Sequence, residues 1–302
     1  MNSTTVEARK IYFAVPGSKY YESEYYKNSP NSFANISITG TKCSCRCAHC
    51  QGKLLESMIA AESVSDFYSV IDTLAAKGCK GVLVSGGCDD QGEVPLIPFA
   101  PGIAYAREKG LKVLTHCGII SKSTAIVLKE VGVNQVLMDI IGDESTIRDV
   151  YHLERKPQDY YEAMMNCREV DLDFVPHVVL GLNFGKIKGE YLALEMIRKA
   201  DPRVLVLVVF RPIRGTPMER TDPLTVIEAA SIVKHARTMF PGSVLNLGCI
   251  KPAGVYKEEL EKIAIDCGVN AIAFPSEKTV EYARAKGLLM IYKEECCSSS
   301  DS

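Results

Sequence analysis

The sequence predicts an α/β fold built on a parallel, barrel-type sheet, and three observations carry that prediction. From residue 35 onward, short β-branched runs alternate with longer amphipathic stretches. Eight of each can be counted, and several of the runs are apolar throughout, as parallel strands covered by helices should be. Strict alternation in that number suits a (β/α)8 barrel of the TIM type, full or nearly full. An open doubly wound sheet would want a glycine-rich phosphate loop after its first strand. A cysteine cluster stands there instead.

The expected strands, in order, are Asn35–Gly40, Gly81–Ser85, Lys112–His116, Gln135–Ile140, Phe174–Leu180, Val204–Phe210, Ser243–Leu247 and Ala271–Phe274. Helical periodicity fills the intervals at Asp66–Lys77, Phe99–Lys109, Ser123–Val131, Tyr160–Val170, Tyr191–Ala200, Leu224–Met239, Glu258–Asp266 and Thr279–Lys286. Asp222 and Pro223 read as the N-cap and first position of the longest helix. Gly78, Gly110, Gly132, Gly268 and Gly287 stand where helices should stop. The chain thus divides into an N-terminal extension (1–34), a barrel (35–287) and a C-terminal tail (288–302). The tyrosine-rich stretch Tyr20–Tyr26 is expected to pack on the barrel or on a partner.

Composition narrows the function classes. The 302 residues are 47% hydrophobic and carry a net charge of −2, with no long run of one sign, so neither nucleic acid nor a membrane surface is an expected partner. The longest apolar run, Val204–Phe210, is too short to span a bilayer. Met1–Lys10 is polar and lacks the apolar region of a signal peptide, which predicts a cytoplasmic protein. In that setting the 12 cysteines point to metal or catalytic work rather than disulfides.

The informative segment is Cys43-Ser44-Cys45-Arg46-Cys47-Ala48-His49-Cys50, which contains C-x3-C-x2-C. Thiolates are the natural ligands of iron–sulfur clusters. Three of them can hold three irons of a cubane and leave the fourth open to a chelating small molecule. A structural zinc site would draw its ligands as two separated pairs, and no second pair lies at that distance. An electron carrier would need a fourth thiolate, for which Cys45 is the local candidate, although its spacing is too tight to reach the same cubane.

C-x3-C-x2-C directly after the first barrel strand resembles the signature of the radical S-adenosylmethionine (SAM) superfamily, over roughly residues 33–290. The resemblance implies a [4Fe–4S] cluster on Cys43, Cys47 and Cys50, with SAM on the open iron. Reductive cleavage of SAM then yields a 5′-deoxyadenosyl radical that abstracts hydrogen from an unactivated carbon. It also implies SAM contacts from Ser85, Gly86 and Gly87 at the end of the second strand, where Cys88 replaces the family's acidic residue. Ile187 and Gly189 of the Gly185–Gly189 element match the family's adenine-packing G-x-I-x-G, and Asp139 is placed to face the ribose. His49 stands where most members carry an aromatic residue against adenine. Asp143 reads instead as the N-cap of the next helix.

A second set of cysteines follows from barrel geometry, because residues at the C-terminal ends of strands face the active site. Cys88, Cys117 and Cys249 fall at such ends, whereas Cys79, Cys167 and Cys267 read as small buried hydrophobes on helix ends or faces. Cys296 and Cys297 follow an extended stretch, Leu288–Glu295, that can reach about 26 Å at about 3.3 Å per residue and so climb back toward the barrel. The segments Gly248–Gly254 and Ala271–Pro275 are similar to the sulfur-inserting branch of the superfamily, and also to its methylornithine-synthase and hydrogenase-maturation members. The Cys-Cys-Ser-Ser-Ser tail is similar to lipoyl synthase, in which a C-terminal serine ligates a second cluster. The single-chain lipoyl synthases carry an N-terminal triple-cysteine motif that is missing here, so the chain resembles one component of the two-protein archaeal type. That resemblance implies a second iron–sulfur cluster on Cys249, Cys296 and Cys297, with Cys88, Cys117 and Ser298 as further candidates. It implies three partners: a second radical SAM protein, a lipoyl carrier protein or domain as substrate, and an electron donor such as ferredoxin. A biotin-synthase-like, methylornithine-synthase-like or hydrogenase-maturation role on a small molecule is the alternative within the family, and an iron–sulfur electron carrier the alternative outside it.

Overall fold

The computed structural model describes residues 9–299, so the ends of the predicted extension and of the predicted tail lie outside it. One parallel sheet organises the chain. Its strands are β1 (Lys10–Ala14), β2 (Phe33–Ser37), the two-residue β3 (Ile59–Ala60), β4 (Gly81–Ser85), β5 (Lys112–His116), β6 (Gln135–Asp139), β7 (Phe174–Leu180), β8 (Val204–Val209), β9 (Val244–Leu247), β10 (Ala271–Ala273) and β11 (Leu289–Lys293). Their order is β11-β1-β10-β9-β8-β7-β6-β5-β4-β2-β3. The helices are α1 (Val64–Ala76), α2 (Ala100–Glu108), α3 (Lys122–Glu130), the single-turn α4 (Glu144–Thr146), α5 (Pro157–Glu169), α6 (Glu190–Ala200), α7 (Val226–Met239), α8 (Val255–Cys267) and α9 (Glu277–Ala285). The eight predicted strands are β2 and β4 through β10, and the predicted helices recur with shifted ends. Among the described residues, no helix is long and apolar enough to cross a membrane.

Side-chain alternation splits the sheet into two faces. Leu114, Leu137, Val175, Val204, Val206 and Val208 pack together in the lumen, while their neighbours Val113, Val136, Val178, Leu205 and Leu207 pack against the helices. β8 is buried along its whole length because both of its faces are covered. The start of α7 departs from expectation. Its N-cap is Thr225, whose Oγ1 accepts the Glu228 N–H at 3.3 Å, while Glu228 Oε2 accepts the Thr225 N–H at 2.9 Å. This reciprocal box satisfies two backbone donors, so it prevails over the Asp222-Pro223 start.

Part of the predicted extension belongs to the sheet. β1 lies between β10 and β11, pairing Tyr12 with Ala271 on one side and Ile291 on the other. Residues 15–32 then cross the seam between β11 and β2. Glu294 Oε1 accepts hydrogen bonds there from Ser29 N at 2.8 Å and Tyr26 Oη at 2.9 Å, and Tyr26 stacks on Tyr292 with ring centroids 4.3 Å apart. The tyrosine-rich stretch therefore packs on the barrel.

Candidate active site

The cysteine loop leaves the top of β2 and is tied to the top of β4. Ile38 N donates to Ser85 O at 2.8 Å, Gly87 N to Thr39 Oγ1 at 2.7 Å, and Ser44 N to Cys88 O at 2.8 Å. Gly87 makes this approach feasible: a Cβ there would lie 2.0 Å from Lys42 O and 2.5 Å from Cys43 Cα. The Gly86-Gly87 pair therefore has a packing role against the loop, alongside any role toward a ligand.

Within the loop, the ligand atoms of Cys47, His49 and Cys50 all lie within 4.8 Å of one another. Thiol contacts link Cys43 to Cys45, Cys45 to Cys47, Cys47 to Cys50, and Cys45 to Cys88. The negative charge settles unevenly. Hydrogen bonds from Cys43, Cys47 and Cys88 pull the Cys45 thiol well down, and the Cys47 contact with help from His49 lowers Cys50 to about 4. Cys43, Cys47 and Cys88 are pushed up in return, each chiefly by Cys45. Cys45 Sγ also lies 3.3 Å from Asp89 O, turned toward the β4 loop. No cysteine is in a disulfide. A thiolate-rich loop with a buried, unpartnered His49 Nδ1 beside it fits an iron–sulfur cluster with SAM.

The remaining predicted SAM residues surround this loop. His49 lies 5.4 Å, ring to ring, from Tyr151, whose hydroxyl donates to Asp139 Oδ2 at 2.9 Å. Asp139 Oδ1 is 4.0 Å from His116 Nε2. Ser85 is buried at the end of β4. Gly189, at φ 96°, opens α6 and packs so closely on Gly142 that a Cβ on the latter would lie 2.2 Å from Gly189 O. Ile187 is half-buried beside it. Asp143 caps α4, accepting from Thr146 N at 2.7 Å.

The second set of cysteines divides. Cys88 stands with the loop. Cys117 is fully buried in the layer between sheet and helices, its Sγ 3.4 Å from Leu137 O, and burial raises its thiol. Neither residue joins the tail. Cys249, Cys296 and Cys297 do come together: Cys297 contacts both of the others. Facing Cys297, with Lys251 nearby, lowers the Cys249 thiol to about 6.

The tail is seated inside the barrel. Asn246 Nδ2 donates to Cys297 O at 2.7 Å, Ser298 Oγ lies 3.1 Å from His177 Nε2, and Lys112 Nζ pairs with Glu295 Oε2 at 2.8 Å. Sequence reasoning missed His177, Asn246 and Lys112. All three are lumen-facing polar residues at positions where a barrel usually carries apolar ones, and that was the available signal. His177 is also the link between the two cysteine groups. It pairs across the sheet with Asp139, which reaches the loop through Tyr151, and it touches Ser298 below.

A parallel barrel with Cys43, Cys47 and Cys50 in C-x3-C-x2-C at the top of β2 is the arrangement that the resemblance to the radical SAM superfamily implies. No protein-family model matches the chain. Among curated proteins it is similar to biotin synthase of Coxiella burnetii, 24% identical over 173 residues that make up 57% of this chain and 53% of the relative. It is also similar to 7,8-didemethyl-8-hydroxy-5-deazariboflavin synthase of Archaeoglobus fulgidus, 27% identical over 147 residues, 46% of this chain and 44% of the relative. The chain thus spans about half the length of these relatives. Among solved structures it shares its fold with methylornithine synthase, at a TM-score of 0.62 and 16% identity, covering 85% of this chain and 82% of the other. These likenesses support the radical SAM superfamily, with biotin synthase among the relatives.

Proposed function

We propose that the chain is a radical SAM enzyme of the sulfur-inserting type, acting on an octanoyl chain of a lipoyl carrier as one component of a two-protein lipoyl synthase. The observation that carries this reading is the meeting of Cys249, Cys296 and Cys297 inside the barrel, where Ser298 also sits. When bound, the [4Fe–4S] cluster and SAM supply the 5′-deoxyadenosyl radical that activates a C–H bond. Cys43, Cys47 and Cys50 hold the cluster, and Cys45 lies beside it. His49, Ile187 and Gly189 would meet the adenine of SAM, and Asp139 would meet its ribose. The three tail-site thiols then hold a second iron–sulfur group, and the activated carbon needs a sulfur within bonding distance. The partners are a second radical SAM chain and an electron donor of the ferredoxin kind. Kinship to biotin synthase supports a second reading, sulfur insertion into a free small molecule.

Anaerobic iron and sulfide analysis of the full chain tests the shared part of both readings. About eight irons per chain are expected, and about four would remove the sulfur-donor role while leaving the radical chemistry. Conversion of an octanoyl-lysyl group in the presence of the partner chain separates the first reading from the second.

A further inference from the structure

Three loops at the C-terminal ends of the strands meet along one lip of the barrel mouth. They are the end of the cysteine loop, the β7–α6 loop (181–189) and the β8–α7 loop (210–225). The contacts between them are close. A Cβ on Gly185 would lie 2.0 Å from Asp222 O, and one on Gly215 would lie 3.3 Å from Lys53 Nζ. Lys53 N in turn donates to Cys50 O at 2.8 Å, so the ridge abuts a residue assigned to the cluster.

This ridge carries five cations, Lys53, Lys186, Arg211, Arg214 and Arg220, against two carboxylates, Glu219 and Asp222. All but the half-buried Lys53 are exposed cations. Among the described residues none of the five pairs with a carboxylate, whereas nearby Lys188 reaches Asp143 Oδ2 at 3.8 Å. Glu219 is engaged elsewhere, its Oε2 accepting from Gly215 N at 2.7 Å. The excess of positive charge stands out on a chain whose net charge is −2. The opposite lip, after β4, carries Asp89, Asp90 and Glu93 instead.

Beside the cations stands an aromatic side chain that the fold holds outward. Phe184 is 41% exposed and has φ 47°, a backbone that bulky residues seldom adopt and that costs about 1–3 kcal/mol. The turn is fixed by Gly185 N donating to Gly181 O and Lys186 N to Asn183 O, both at 2.9 Å. Arginines around an exposed aromatic anchor are the composition of a protein-binding surface.

We propose that this ridge docks an acidic protein domain, which carries the acyl chain on a lysine and delivers it into the mouth beside Cys50. The proposal rests on the carrier-bound reading above and adds to it the docking surface and the charge of the carrier. A free small molecule gains nothing from cations and an aromatic ring set outside the mouth. Asp89, Asp90 and Glu93 would repel a nucleic acid laid across both lips.

The probe is a lipoyl carrier domain with an acidic face and an octanoylated lysine, and its binding to the full, iron-loaded chain is followed anaerobically by biolayer interferometry. Arg211→Glu/Arg214→Glu should slow association roughly tenfold at low salt, at the lower end of the range for electrostatic steering, and the difference should fade near about 0.5 M salt. Lys77→Glu/Lys80→Glu makes the same charge change at the N-terminal ends of the strands and should alter association less than about twofold. Phe184→Ala should speed dissociation about fivefold, the effect of an anchor whose loss costs about 1 kcal/mol, and leave the salt dependence as it was. Both ridge variants should keep the wild-type iron content and carrier-free 5′-deoxyadenosine formation. Equal slowing by the two double variants, or a charge-reversed ridge that binds like the wild type, would overturn the ridge and leave the carrier reading standing. Tighter binding of a short RNA than of the carrier domain would also overturn it. A wild-type chain that converts a free octanoyl compound yet binds no carrier domain would remove the carrier reading and the ridge with it.

Discussion

Lys251 follows Cys249 by two residues, and its ammonium is almost wholly buried. Nζ lies 3.2 Å from Glu261 Oε1 and donates to Gly248 O at 3.0 Å and Ala273 O at 2.7 Å. Glu261 Oε2 accepts from Ser276 N at 2.8 Å and Thr279 Oγ1 at 2.7 Å, so one ion pair ties the ends of β9 and β10 to α8 and α9. Side-chain exposure is 2% for Lys251 and 0% for Glu261. Lys251→Met keeps the volume and removes the charge, leaving the buried carboxylate without its ion-pair partner and with only its bonds from Ser276 and Thr279. Removing one partner of a buried pair costs about 3–5 kcal/mol, and two carbonyls also lose a charged donor. Urea unfolding of the full chain before iron loading should show a loss in that range. Lys251→Met/Glu261→Gln should recover about 2 kcal/mol of it, because the stranded charge is gone while an amide oxygen still accepts from Ser276. The Cys249 turn loses its anchor in either variant, so labelling of Cys249 should quicken in both. A single-variant loss below about 1 kcal/mol, or a double variant no more stable than the single, would refute the reasoning, since either result means that water or a shifted side chain solvates Glu261.

Three further outcomes follow from the geometry. Cys43→Ala, Cys47→Ala and Cys50→Ala should each abolish loop iron and 5′-deoxyadenosine formation while Cys45→Ala retains both; equal loss at Cys45 would make it a ligand. Gly87→Ala, whose Cβ would lie 2.0 Å from Lys42 O, should cost about 1–3 kcal/mol and lower loop iron, and a fully loaded variant would show that the loop yields freely. Cys167, buried and raised to about 12, should resist iodoacetamide at pH 8 until the chain unfolds, and labelling of the native protein would mean that α5 opens.

Much of the barrel was legible because its signals are local. Strand and helix periods repeat within a dozen residues, and the loop ligands lie within eight. The seam was not legible, because it depends on contacts across most of the chain. Tyr26 meets Glu294 over 268 residues, and Arg9 meets Val269 O over 260. Among the described residues no helix separates β1 from β2 to mark a β/α unit, so the five residues of β1 merged with the extension around them. The Cys249–Cys296–Cys297 grouping was legible as chemistry but not as position. Its seat depends on His177, Asn246 and Lys112, polar residues on three strands whose shared lumen-facing register only the sheet discloses.

That register also bears on the substrate. The cysteine loop caps the lumen at the top of β2, and the tail meets its wall at His177 and Asn246, with its thiols against Cys249. The wall there carries a polar group, Asp139, His116 and His177, and beside it the apolar Val206 and Val208 of β8. A closed barrel of eight strands is filled by side chains or one small ligand, and this eleven-stranded sheet holds the tail in its interior as well. A molecule presented to both cysteine groups must therefore be slender and enter lengthwise. An aliphatic chain attached at one end to a carrier meets that demand. It buries methylenes against the valines at about 0.8 kcal/mol each, while the attachment point stays at the mouth.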